Sequence, residues 1–220
     1  MENKNLDIID KITAQKILPL YYNENEFVTI NVAKTLYQAG VRVIKYTNRG
    51  PFALENFKSL KKLQNEELYD LVLGNGTIKD SYDAENYINA GADFLVAPVT
   101  DLEVASIAAK HGVLWIAGCM TPTEIHLAHK GGAKLVKIFP ASVIGPEFIT
   151  TVKDIFSGMS FMATGCGGLS KENLNNWFNA GACAIGSGSK LIKQSRIDEL
   201  DFEGLFKDVS DIFVSLQTIG

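Results

Sequence analysis

The chain has 220 residues, 46% of them hydrophobic and 21% charged, enough to bury a sizeable core and unlike a disordered or fibrous sequence. Lys and Arg number 21 against 25 Asp and Glu, and the resulting charge of −4 lacks the basic footprint that nucleic-acid binding needs. Three scattered cysteines, Cys119, Cys166 and Cys183, make no disulfide framework, and no apolar run approaches the ~20 residues of a membrane-spanning helix, so a cytoplasmic protein without membrane or nucleic-acid partners is expected.

In chain order, the segment before residue 16 mixes Glu2, Lys4, Asp7, Asp10 and Lys11 among apolar residues, which is unlike a signal peptide and predicts an additional helix. Ile17 to Tyr22 reads as the first strand. From there one phrase recurs: a small or polar residue, a glycine, then an apolar run of strand character. It occurs at Ala39-Gly40-Val41, Ala90-Gly91-Ala92, His111-Gly112-Val113, Gly131-Gly132-Ala133 and Ala180-Gly181-Ala182. A glycine there can take the left-handed conformation that ends a helix and feed the chain directly into a strand. Runs such as Phe94 to Ala97 and Val113 to Ala117 are apolar on both faces, as strands covered by helices on both sides are. Leu71 to Leu73 and Phe161 to Ala163 complete eight strand candidates. Helical stretches fall near 27–39, 53–66, 81–90, 101–110, 122–130, 146–157 and 170–180, with a short helix from about 189 and an amphipathic one near 202–217. Thr100-x-x-Glu103 and Thr121-x-x-Glu124 with Pro122 predict helix starts. Lys58, Lys61 and Lys62 read as a solvated helix face. Strict alternation predicts an α/β protein, a (β/α)8 TIM barrel with an extra N-terminal helix, as one domain over 1–220. A doubly wound sheet would want a glycine-rich turn after the first strand, and Tyr21 to Glu26 contains no glycine.

In such a barrel the active site is built at the carboxyl ends of the strands. Lys137 lies between Leu135 and Phe139 at period two, so if those face inward the amine does too. An ammonium in apolar surroundings loses solvation, its pKa falls, and the neutral amine becomes a nucleophile towards a carbonyl carbon. The alternative is an outward lysine of structural role. Gly165, Gly167 and Gly168 after strand seven, with Gly186, Gly188 and Ser189 after strand eight, suggest a phosphate cradle of exposed amides. His126 and His129 lack a third partner for a metal, and no histidine obviously partners Cys119 or Cys166 for thiol catalysis. No metal or cofactor is expected.

Gly40-Val41-Arg42-Val43-Ile44, Thr47 with Arg49, Gly74-x-Gly76-Thr77, Ala97-Pro98, Val136 to Ala141, and Thr164-Gly165 followed by Gly167 to Ser170 resemble the class I 2-keto-3-deoxy-6-phosphogluconate (KDPG) and 4-hydroxy-2-oxoglutarate (KHG) aldolases. The resemblance runs from about residue 10 to the end of strand eight, and its most specific part is Lys137-x-Phe139-Pro140-Ala141. It implies a lyase that releases pyruvate through a Schiff base on Lys137 and takes a small anionic keto acid, commonly phosphorylated. By the same resemblance Arg49 and Thr77 hold the substrate carboxylate and neighbouring groups, and Phe139 and Pro98 line the pocket. Gly165, Gly168 and Ser189 bind phosphate, with Thr164, Gly167 and Gly188 beside them, and the protein is a homotrimer.

One departure matters. Where the family carries a proton-shuttling glutamate at the end of strand two, this sequence has Lys45. The substitution changes the charge beside the nucleophile by two and removes a general acid–base group of the kind that contributes about 10²- to 10⁴-fold. A weak or altered aldolase is expected, with neutral Lys45, Tyr22 or a water held by Thr164 as substitute shuttles. The alternative is a non-catalytic protein that binds keto acids or sugar-acid phosphates on the same barrel. The turn Thr164 to Gly168 is also longer than the family's usual Thr-Gly-Gly, which leaves open which glycine amides meet the phosphate.

Overall fold

Residues 2–218 are described by a computed structural model; the expected domain of 1–220 extends past them by residue 1 and residues 219–220. Eight parallel strands close a barrel in chain order. They are β1 Ile17–Tyr21, β2 Val43–Thr47, β3 Val72–Gly76, β4 Phe94–Val96, β5 Leu114–Cys119, β6 Leu135–Ile138, β7 Ser160–Thr164 and β8 Ala184–Ser187. The surrounding helices are α1 Glu2–Gln15, α2 Glu26–Gln38, α3 Ala53–Glu66, α4 Ser81–Asn89, α5 Leu102–His111, α6 Pro122–Lys130, α7 Ala141–Ile144, α8 Glu147–Val152, α9 Lys171–Ala180, α10 Gln194–Asp198 and α11 Phe202–Leu216. This is the expected TIM barrel with an extra amino-terminal helix. Among the described residues no helix is long and apolar enough to cross a membrane.

Strand alternation separates two cores. Inside the barrel Leu18, Val43, Val72, Phe94, Leu135 and Met162 pack together, and α1 caps their amino-terminal end with Ile8, Ile9 and Ile12. Burying three isoleucines at ~1.5–3 kcal/mol each holds that helix in place despite its polar outer face. The alternate residues, among them Ile44, Tyr46, Leu73, Leu95, Trp115 and Val136, form the larger core between sheet and helices. Lys45 follows Val43, and Lys137 follows Leu135, by two positions on the inward faces.

The five repeated glycines do end helices: Gly40, Gly91, Gly112, Gly132 and Gly181 all have φ between +67° and +111°. Thr121 and Glu124 form a reciprocal capping box ahead of Pro122. The other expected cap falls one residue later, because the Asp101 carboxylate accepts from the amides of Glu103 and Val104, freeing the Thr100 hydroxyl to donate to the Gly118 carbonyl at 3.0 Å. The helix expected over 146–157 is shorter, ending at Val152 before a turn that closes at left-handed Gly158. The helix expected from 189 does not form there. Leu191 and Ile192 amides both close on the Gly188 carbonyl, and extended Lys193 then stops the turn before α10. Nor is Lys61 part of a solvated face: it pairs with Asp93 at 3.1 Å, both largely buried. Asp93 also accepts from Gln64 and the Leu73 amide, tying α3 to β3 and β4.

Candidate active site

Two lysines stand inside the barrel, each only 6% exposed. Lys45 on β2 is in register with Leu20 and Gly74, and Lys137 on β6 with Gly118 and Met162. Glycines make the room. A Cβ at Gly76 would lie 2.5–2.6 Å from Cδ, Cε and Nζ of Lys45, so the end of that side chain rests on bare β3 backbone. A Cβ at Gly118 would meet the Pro98 carbonyl at 2.2 Å, so Pro98 folds over β5 next to the Lys137 position. Among the described residues Lys45 makes no hydrogen bond or ion pair.

Burial is the main force on both amines, since an ammonium there loses its hydration. The Lys45 pKa falls from 10.5 to about 7, with the charges of Lys137 and Arg49 pushing it down further. Lys137 falls to about 8, opposed only by nearby Cys119. Lys137 also has a stabilising neighbour for its charged form, the Phe139 ring, whose centroid lies 4.7 Å from Nζ.

Two residues further along each of these inward faces, Thr47 and Phe139 line an open cavity of about 520 Å³ at the carboxyl ends of β1, β2, β6, β7 and β8. Its polar lining includes Asn23, Arg49, Ser142, Thr164, Ser187, Ser189, Lys190 and Gln194, together with backbone at Gly165, Gly167, Gly186 and Gly188; no Asp or Glu takes part. The hydroxyls of Thr47 and Thr164 are buried without a hydrogen-bond partner, an arrangement that a polar ligand could satisfy. Thr164 sits where a Cβ on Gly186 would be, at 2.4 Å, so the glycine admits the hydroxyl. The Ser142 amide donates to the Gly165 carbonyl at 2.9 Å and joins the turn after β6 to the loop after β7. Exposed backbone, two hydroxyls without partners and charged side chains of one sign, Arg49 and Lys190, suit a phosphate or carboxylate. Among the described residues no cluster of three or more His, Cys, Asp or Glu could hold a metal ion.

The expected site residues therefore occupy distinct positions. Arg49, Phe139, Thr164, Gly165, Gly167, Gly188 and Ser189 meet in the cavity, and Lys45 and Lys137 lie one layer deeper. Thr77 and Pro98 lie outside the cavity lining, at the carboxyl ends of β3 and β4. Thr77 holds a left-handed φ of +66°, an unusual backbone for a β-branched residue. Gly168 is also outside the lining, its carbonyl held by the Asn173 side chain at 2.7 Å. Ser142, Lys190 and Asn23 also line this cavity, as does Thr47, which the sequence offers only through its motif. Thr47 carried a signal, period two from Lys45; the others depend on how the loops converge.

Asn23 also anchors the rim. Its carbonyl accepts from Thr29 Oγ1 at 3.0 Å, Tyr46 Oη at 2.8 Å and Asn56 Nδ2 at 3.0 Å. That clamp fixes the loop after β1 and with it Tyr22, whose hydroxyl lies over Gly50 beside Arg49.

Together these features define a (β/α)8 barrel with two buried lysines facing inward beneath a mouth lined by glycine backbone, hydroxyls and cationic side chains. The chain belongs to the KDPG and KHG aldolase family, whose pattern matches residues 8–207. It is 30% identical to a probable 2-dehydro-3-deoxy-6-phosphogalactonate aldolase of Rhizobium meliloti over 162 residues, 74% of each chain. The corresponding Escherichia coli aldolase is 33% identical over 123 residues, 56% of this chain and 59% of that one. Among solved structures, a 4-hydroxy-2-oxoglutarate/KDPG aldolase from TTHB1 superposes with a TM-score of 0.79 at 29% identity, covering 94% of this chain and 98% of the other. KDPG aldolase from Legionella pneumophila, captured with pyruvate as a covalent carbinolamine, shares the fold at TM-score 0.84 and 20% identity, over 93% and 97% of the two chains.

Proposed function

We propose that this protein is a class I aldolase that cleaves a 2-keto-3-deoxy sugar acid carrying a terminal phosphate, or 4-hydroxy-2-oxoglutarate, releasing pyruvate. The observation that carries the reading is the pair of buried inward lysines beneath a cavity with no acidic side chain. Of the two substrate classes the phosphorylated one suits the cavity better, because its hydroxyls and glycine backbone exceed what a second carboxylate needs.

Neutral Lys137 attacks the C2 ketone, and loss of water leaves an iminium that withdraws electrons. Lys45, neutral in part near pH 7, takes the C4 hydroxyl proton as the C3–C4 bond breaks. The bonding electrons pass to the iminium and form an enamine. Lys45 then returns its proton to C3, and water hydrolyses the imine to free pyruvate. Arg49 orients the substrate at the rim, Phe139 shapes its apolar side, and Thr164, Gly165, Gly167, Gly188 and Ser189 hold the far anion, while Thr77, Pro98 and Gly168, which lie outside the cavity lining, are not assigned a contact with it. The active assembly is a homotrimer, as is common in the family, acting in the cytoplasm without a cofactor. The iminium charge that forms beside Lys45 lowers the basicity of its amine further, so turnover is slow. Coupled detection of pyruvate from the 6-phosphogluconate and 6-phosphogalactonate keto acids and from 4-hydroxy-2-oxoglutarate tests this. Release from none of them, with tight binding of one, establishes the non-catalytic binding protein instead.

A further inference from the structure

We infer that Lys45 is a second imine-forming residue, so the barrel holds two amines, either of which can carry the keto acid while the other moves the proton. The inference rests on the reading that this site takes a 2-oxo acid. Three observations support it. Lys45 is as buried as Lys137, 6% exposed, and points to the same interior from the facing side of the barrel. It has no hydrogen-bond or ionic partner among the described residues, and its charged neighbours, Lys137 and Arg49, share its sign. Lys137, in contrast, has the Phe139 ring 4.7 Å away to stabilise its ammonium. Burial without a counter-charge and repulsion from two cations both favour a neutral amine, the form that attacks a carbonyl.

The step balances without any further reactant. The Lys45 lone pair attacks the ketone carbon, and the Lys137 ammonium gives its proton to the carbonyl oxygen, yielding a carbinolamine. The carbinolamine nitrogen then passes its extra proton, by way of Lys137 or solvent, to the hydroxyl, which leaves as water and gives the iminium on Lys45, so the one proton taken up overall is that of Lys137. The bare backbone of Gly76 is what lets the amine lie inside the barrel, so Gly76 is a positioning residue for this chemistry.

The test is borohydride reduction of the full-length protein with pyruvate, followed by peptide mapping of the modified lysine. Wild type is expected to carry adducts on both Lys45 and Lys137. Lys137→Met is expected to keep the Lys45 adduct at least tenfold above the Lys45→Met/Lys137→Met background. Gly76→Ala, which displaces the Lys45 amine, is expected to lower the Lys45 adduct severalfold and keep the one on Lys137. An adduct confined to Lys137 in wild type overturns the inference and leaves the proposed aldolase intact, whether or not Lys137→Met folds. An adduct on neither lysine of wild type overturns both.

Discussion

Replacing Lys45 by Met should stabilise the fold, and by an amount that depends on pH. In the unfolded chain the amine titrates near 10.5, whereas in the barrel its pKa is about 7. Between those values the unfolded state holds a proton that the folded state does not, so stability rises with pH across that window. Below pH 7 both states are protonated and the cost of burying the charge is fully present; above 10.5 it is gone. At ~1.4 kcal/mol per pH unit the full cost is on the order of 5 kcal/mol. Met keeps nearly the same length and apolar bulk without the charge, so Lys45→Met escapes this cost. Chemical denaturation of both proteins at pH 6, 7, 8 and 9 measures the difference, and every other titrating group largely cancels in it. The advantage of the variant should shrink by roughly 3 kcal/mol from pH 6 to pH 9. A difference that stays constant with pH, or grows as pH rises, refutes a buried amine with a lowered pKa.

The remaining predictions concern the chemistry and the rim. Lys45→Glu supplies a carboxylate shuttle and should raise turnover of the preferred phosphorylated keto acid by about 10²-fold or more; an unchanged rate in the coupled assay means the shuttle is not limiting. Since the neutral amines react, kcat/KM of the wild type should climb with pH up to about 7–8 and then level, in keeping with the two lysine values; a profile falling over that range contradicts amine catalysis. Lys137→Met removes one of the charges that depress Lys45, so the remaining amine should titrate above 7, readable from the pH dependence of its labelling by cyanate. Asn56→Ala deletes one donor to the Asn23 carbonyl and should cost about 1 kcal/mol of stability, with KM rising more than kcat falls because the loop after β1 lines the mouth.

Much of this molecule was legible in its sequence because the relevant signals are local. Glycines at helix ends needed only their neighbours to be read, and the alternation of Leu135, Lys137 and Phe139 already turned the amine inward. Val43, Lys45 and Thr47 obey the same rule, so the meeting of two lysines followed from closing the barrel. What could not be read depends on competition or on convergence. Thr100 and Asp101 are both good caps, and the carboxylate took the helix while the hydroxyl turned to Gly118. Ser189 looked like a helix start, but one turn closed on Gly188 and extended Lys193 ended it. Four-residue α7 has no capping signal, and it brings Ser142 to the mouth. The cavity's bias towards β1, β7 and β8, away from Thr77 and Pro98, is set by loop shapes that no spacing reveals.

The central claim is that buried amines convert a 2-oxo acid into an enamine and move its proton. Proton NMR of pyruvate in heavy water with the purified protein tests both halves at once, since imine, enamine and reprotonation at carbon exchange the methyl protons faster than free enolisation does. The account predicts loss of the methyl signal well above the protein-free rate for wild type and its persistence with Lys45→Met/Lys137→Met. A methyl signal that survives wild-type protein as it survives buffer alone would contradict it.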